Sequence, residues 1–365
     1  MTYAAITGWG KCLPPAILTN ADLATFLDTD DEWIKSRTGM QERRISHVPV
    51  SELGYVAALR ALAAAGKTVD DVELIVFGSC TPDQVCPNVA SRVQQLLGAS
   101  GAACMDVNTA CTSFLYALTT ASSMLRTGAV KNAIVIGAEV ISPIMDWDNR
   151  NVAVLFGDGA AAVYLEASEQ EEGLLDQQLG CYGDVRDILT VHGWGMKYAN
   201  QEIQMGNSHW QFEGQEIFKR AVVGMVSASN SVLERRGLSS HDIDLVVPHQ
   251  ANLRIIDAVA KRADIPSEKV FVNVHRYGNM SAATVAVALV EAIEEGRVKP
   301  GNHVLLPAFG GGLSWCAHLV KWGERAQPIE QSDVDLPACD TTALELVEAL
   351  RASKAPRAAF EDMMI

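Results

Sequence analysis

A buried internal repeat is the feature that most constrains this 365-residue chain. Residues 71–78 read DVELIVFG and residues 242–249 read DIDLVVPH, the same acidic start and apolar run about 170 residues apart. A second pair follows each. DVNTACTSFLYAL (106–118) leads through a helical pattern to GAVKNAIVIGAE, which ends at Glu139. FVNVHRYGNMSAAT (271–284) leads through another to GRVKPGNHVLLPAFG, which ends at Gly310. Short continuous apolar runs between turn signals suit strands covered on both faces by helices. Between them, 112–126 and 281–295 carry Ala, Leu, Val and Met at helical spacing. The expected architecture is an α/β fold of two similar halves packed together.

The halves are expected at 1–168 and 169–323, because the segment near 166–172 is acidic and turn-like. Residues 173–212 lack clear periodicity and read as an irregular insertion. Beyond Trp322 a polar tail, 324–365, carries one short amphipathic helix over 341–353, with Asp340 as its expected N-cap.

Composition excludes several classes. A net charge of −15 disfavours nucleic acid and anionic membranes as general partners. No apolar run reaches membrane-spanning length, and the N-terminus lacks a secretory pattern. Eight cysteines occur without a C-x-x-C pair, which suits reduced thiols and a cytoplasmic setting. The histidines at 47, 192, 209, 241, 303 and 318 show no ligand spacing, so no metal site is expected, and His275 reads as structural.

Three residues stand where chemistry is expected. Cys111 precedes a helix, whose N-terminal dipole and free N–H groups favour thiolate. Taken alone, a small buried core cysteine is the commoner reading. His249 ends the strand-like run DLVVP before the turn HQANLR, the crevice side of an α/β sheet. By the repeat, Asn279 holds the place in the second half that Cys111 holds in the first. If a pseudo-twofold axis relates the halves, the three converge. The glycines of Phe309-Gly310-Gly311-Gly312 follow a buried strand and permit close backbone approach to a ligand.

The strings NTACTSF, VPHQANLRII, YGNMSAAT and AFGGGLSW, in this order and spacing, resemble the β-ketoacyl-acyl carrier protein synthase III family. The resemblance spans roughly residues 1–322, with TNADLATFLDTDDEWIKSRTGMQERRI and FGDGAAAV inside it. It implies the thiolase-like fold, two duplicated βαβαβαββ halves in a five-layered αβαβα core. It also implies an acyltransferase that condenses an acyl-CoA primer with malonyl-acyl carrier protein and so starts fatty acid synthesis. Cys111 would then carry the acyl group, His249 and Asn279 would assist, and the N–H groups of Cys111 and Gly311 would form the oxyanion hole. Trp33, Arg37, Arg150 and Asn151 match CoA-binding positions, although Asn151 stands where the family often has glycine. Lys219, Arg254, Lys261 and Arg262 match a docking patch for the acidic carrier protein. Cys86 replaces the bulky phenylalanine of acetyl-selective members, so the acyl pocket is expected to take primers longer than acetyl. The family needs no cofactor or metal and forms homodimers in which the partner's loop reaches the acyl pocket.

Three other readings stay open at this point. They are a synthase of secondary metabolism with another acceptor, a Cys-His-Asn thioester hydrolase, and a non-catalytic acyl-binding protein.

Overall fold

The computed structural model describes residues 2–196 and 208–353. Residues 197–207 of the expected insertion and 354–365 of the expected tail lie outside the described residues.

Strands form where the sequence is continuously apolar. The first sheet holds β1 (Tyr3–Cys12), β2 (Leu74–Gly78), β3 (Ala103–Val107), β4 (Asn132–Glu139) and β5 (Gly159–Ser168), in the order β1-β5-β4-β2-β3. The second holds β6 (Gly173–Cys181), β7 (Leu245–Val246), β8 (His303–Gly310) and β9 (Ser314–Lys321), in the order β7-β8-β9-β6. The duplication is visible in the register. β2 pairs β4 in parallel as β7 pairs β8, and β4 meets β5 antiparallel as β8 meets β9. Among the described strands β3 lacks a full counterpart. Val270, just before FVNV, makes an isolated bridge with Val246, and residues Val274–Tyr277 then wind into a helical turn.

The longer helices are α1 (Asp31–Thr38), α2 (Val50–Ala65), α3 (Val89–Leu97), α4 (Ser113–Arg126), α5 (Gly214–Arg235), α6 (Leu253–Arg262), α7 (Ala283–Glu294) and α8 (Ala343–Ala352). They complete five layers. α2 and α3 cover the outer face of the first sheet, and α5 and α6 cover the outer face of the second. Between the sheets lie α4 and α7, whose side chains mix with those of both sheets in one core. Every residue of α7 from Ala283 to Ile293 is buried, as a helix apolar on nearly all sides requires. Among the described residues no helix is long and apolar enough to cross a membrane.

Two local expectations are corrected. Residues 173–181 are not irregular but form β6, the edge strand paired with β9. The polar DQQ hid it, since an edge strand covered on one side does not need a continuous apolar run. The N-cap of α8 is Thr342 rather than Asp340. Its hydroxyl accepts the Glu345 N–H at 3.2 Å, while the Glu345 carboxylate accepts the Thr342 N–H at 2.8 Å, a reciprocal capping box.

Candidate active site

Cys111 stands on a single helical turn, Ala110–Thr112, that links β3 to α4. Ala110, immediately before it, has φ +51°, a conformation that non-glycine residues rarely adopt. Tight apposition to the end of β8 accompanies this geometry. A Cβ added to Gly310 would lie 2.7 Å from the Cys111 nitrogen and 3.1 Å from its Cβ, so only glycine fits. Gly311 follows, with its own added Cβ 3.3 Å from that of Ala110. The glycine run therefore brings backbone against the nucleophile candidate, as its sequence position suggested.

Asn279 is held from the other half. Its N–H donates to the Leu155 carbonyl at 2.8 Å, and its carbonyl accepts the Gly157 N–H at 3.2 Å. Its side-chain oxygen accepts the Ser281 N–H at 2.8 Å, which fixes the amide and leaves its NH2 group directed away from that bond. The preceding turn is tied to α7 through the buried Glu291. That carboxylate accepts from the Tyr277 hydroxyl (2.6 Å), the Asn273 amide (2.9 Å) and the Arg276 guanidinium (2.9 Å).

His249 is 2% exposed, and its N–H bonds the Pro307 carbonyl of β8 at 2.9 Å. Its Nδ1 lies 2.5 Å from the Thr284 hydroxyl, which is also 2.9 Å from the Ser281 carbonyl oxygen. The hydroxyl has one proton, so it serves one of those two acceptors at a time. Burial pulls the imidazole down to about 3, and it is neutral at ordinary pH.

Ser281 joins these groups. Its φ is +46°, a second unusual backbone value at the head of a central helix. Its hydroxyl faces the Cys111 thiol, donates to Glu139 at 3.0 Å and lies 3.8 Å from the Cys80 sulfur. Glu139 ends β4, fully buried. It accepts further bonds from the Ser79 and Thr81 hydroxyls (3.0 and 2.5 Å) and from the Cys80 N–H (3.1 Å). Sequence reasoning passed over Ser281, Thr284 and Glu139. The available signals were a lone carboxylate closing the apolar run IVIGAE and two hydroxyls within GNMSAAT.

The electrostatics of Cys111 run against the expected thiolate. Burial pushes its thiol up to about 12, with the Glu139 carboxylate adding to the effect and the Ser281 hydroxyl opposing it. Enclosure in low dielectric outweighs the single short turn ahead of α4.

A cavity of about 1180 Å³ opens from this cluster. Cys111, Ala110, Gly311 and Ser281 form part of its lining, together with apolar groups such as Val140, Ile144 and Trp210. Cys86 is exposed and lies outside the lining of its own chain, although Pro82–Val85 beside it belong to that lining. Outside the cavity, Trp33 is flanked by two guanidiniums, with the Arg37 and Arg150 carbons 4.6 and 4.7 Å from its ring centroid. Asn151 is exposed next to Arg150, in a short helix capped by Asn149. Lys219, Arg254, Lys261 and Arg262 are all exposed. Lys219 pairs with Glu216 at 3.5 Å, and Arg254 bonds the Ser36 carbonyl at 2.9 Å, which ties α6 to α1. Lys261 and Arg262 close α6, where cations suit the helix dipole.

Two family models match the chain. 3-Oxoacyl-[acyl-carrier-protein] synthase III matches over 105–183, and the C-terminal model of the same enzyme matches over 233–322. The first range includes Cys111, the second includes His249, Asn279 and Gly311, and the tail lies beyond both. Beta-ketoacyl-[acyl-carrier-protein] synthase III 2 of Vibrio cholerae is 54% identical over 347 residues, 94% of this chain and 95% of the relative. The crystal structure of 3-oxoacyl-[acyl-carrier-protein] synthase III from Aquifex aeolicus is similar with TM-score 0.82 at 41% identity, over 87% of this chain and 100% of that one. The priming β-ketosynthase of the R1128 polyketide pathway gives TM-score 0.83 at 30% identity, over 88% and 97%. With its duplicated thiolase-like fold and near full-length similarity, this chain belongs to the β-ketoacyl-acyl carrier protein synthase III family of condensing acyltransferases.

Proposed function

We propose that the chain performs a two-step condensation divided between its halves, 1–168 supplying the nucleophile and 169–323 the polar donors, with 324–365 as an appendage. An acyl-CoA binds with its adenine at the Trp33, Arg37, Arg150 and Asn151 corner, where a ring and guanidiniums already stack. Cys111 sulfur attacks the thioester carbonyl. The Cys111 and Gly311 N–H groups stabilise the oxyanion, the bond to the CoA sulfur breaks, and the Cys111 proton leaves with CoA.

Malonyl-acyl carrier protein then enters, guided by Lys219, Arg254, Lys261 and Arg262, four exposed cations on a chain of net charge −15. Loss of CO2 leaves an enolate whose oxygen accepts from His249 Nε2–H and the Asn279 NH2. A neutral His249 suits this task. When the Thr284 hydroxyl donates to Nδ1, the ring proton resides on Nε2. The enolate carbon attacks acyl-Cys111, a carbon–carbon bond forms, and the sulfur is released as a thiolate that regains a proton. Neither step calls for a redox group or metal, since decarboxylation itself supplies the carbanion. The protein would act in the cytoplasm as a homodimer, and Cys86, exposed on its own chain, would bear on the acyl pocket of the partner.

The observation that carries this reading is the gathering of Cys111, Asn279 and His249 around Ser281, beside a large, mainly apolar cavity. Incubation with an acyl-CoA and malonyl-acyl carrier protein should yield β-ketoacyl-carrier protein, CO2 and free CoA in equal amounts. Release of free acid without condensation would instead indicate a thioester hydrolase. The likeness to a priming polyketide synthase favours one other reading, a primer role in secondary metabolism. Preference for a polyketide-type carrier over a fatty-acid carrier would select it.

A further inference from the structure

We propose that the C-terminal strap, ending in α8, is a wall of the acyl cavity and sets the length of acyl chain that Cys111 accepts. This rests on the functional reading above and assigns a task to a segment beyond the two family-model ranges.

The strap is fastened to the first half along its course. The Ile329 and Glu330 N–H groups donate to the Ala64 and Ala63 carbonyls at 3.0 and 3.1 Å, in the last turn of α2. Arg60 donates to the Val334 carbonyl at 3.1 Å and pairs with Asp335 at 3.2 Å. The His47 Nε2 lies 2.9 Å from the Pro337 carbonyl oxygen. Beyond it, Arg351 stacks over Phe26 at 4.5 Å and bonds Asp148 at 3.1 Å. These ties hold α8 in one place.

The helix presents two stripes. Ala343 and Val347, four apart, are buried in the cluster that holds Trp147 and Trp210. Leu346, Ala349, Leu350 and Ser353 follow the i, i+3, i+4, i+7 spacing of one helical face, and all four line the same cavity as Cys111. Leu346 and Leu350 are half-buried and Ala349 is exposed, so apolar surface remains uncovered beside that space. A hydrocarbon chain esterified to Cys111 is the occupant whose chemistry fits such a wall. Pockets of about 300–1,000 Å³ take whole drug-sized ligands. The cavity here, about 1180 Å³, far exceeds the needs of an acetyl group.

The test compares acylation of Cys111 by acetyl-CoA, octanoyl-CoA and dodecanoyl-CoA, read by intact mass, in wild type, Ala349→Phe, Leu350→Ala and the outward control Glu348→Phe. Wild type should take octanoyl readily. Ala349→Phe should lower the octanoyl-to-acetyl ratio roughly tenfold or more, as pocket filling by a few methylenes does, and Glu348→Phe should leave it unchanged. Leu350→Ala acts in the opposite direction, raising the ratio for dodecanoyl over octanoyl, and keeps the test decisive if Ala349→Phe fails to show a normal unfolding transition. A wild-type ratio in both lining variants, or a wild type confined to acetyl, overturns the proposal while leaving the functional reading intact. Absence of any acyl adduct on wild-type Cys111 would instead sink that reading.

Discussion

The turn carrying Cys111 and the turn carrying Asn279 occupy matching places in two copies of one topology, yet they are built for different work. In the first half, β3 is a full strand and runs straight into the Ala110–Thr112 turn. In the second, the corresponding segment shrinks to one bridge and a helical turn, and Asn279 is clamped by residues 155–157 of the first half. The first turn lines the open cavity. The second carries the buried Asn279 amide, 7% exposed, and the same half supplies the buried His249 imidazole, 2% exposed, from the segment after β7. A duplicated fold thus supplies the proposed nucleophile, Cys111, from one half and its proposed partners, His249 and Asn279, from the other. Ser281 and Glu139 join them.

This division can be broken from either side. Cys111→Ala should lower condensation at least about 10⁴-fold, as loss of a covalent nucleophile does, in a carrier-protein product assay. Asn279→Ala should reduce the same turnover roughly 10²–10³-fold, the usual effect of removing one oxyanion donor. A drop in Cys111 acylation equal to the drop in turnover would mean that the halves are not separate in function. Gly310→Ala places a Cβ 2.7 Å from the Cys111 nitrogen. It should slow acylation itself by about 10²-fold, because misplacement of the reacting atom is costly, and stopped-flow release of CoA measures it.

The pH dependence is the gentlest test. A thiol held up at about 12 is protonated below that value and loses its proton only as pH climbs toward it. Carbamidomethylation of Cys111 by iodoacetamide should therefore rise about tenfold per pH unit between 7 and 10. A plateau near pH 8 would show that the resting residue is a thiolate after all.

Much of the architecture was legible in the sequence because strands buried on both faces must be continuously apolar. LIVFG, AIVIGA and HVLLPA lie in strands, and the helices between them bury as their periodicity implies. β6 was hidden because an edge strand tolerates Asp176, Gln177 and Gln178. The cap of α8 was misplaced by two residues, although Thr342 and Glu345 carry the spacing of a capping box. The gathering of Cys111, His249 and Asn279 was legible through the repeat and the family motifs, and their roles remain a proposal. The supporting groups were not, because nothing local marks Glu139 as a neighbour of a thiol 28 residues away or Thr284 as the partner of an imidazole 35 residues away. The ionisation of Cys111 was misjudged for a related reason. Chain position reveals a helix start, whereas enclosure depends on what the other half brings to it. The wall formed by α8 was beyond reach as well, since amphipathic spacing shows that a helix has a face but not what that face meets.

The double variant His249→Ala, Asn279→Ala tests the division of labour most directly, through its intact mass after incubation with an acyl-CoA that acylates the wild type. One acyl adduct on the Cys111 peptide, with no β-ketoacyl product after malonyl-acyl carrier protein is added, is the predicted result. A variant that stays unacylated, or that is acylated and still condenses at the wild-type rate, would contradict it.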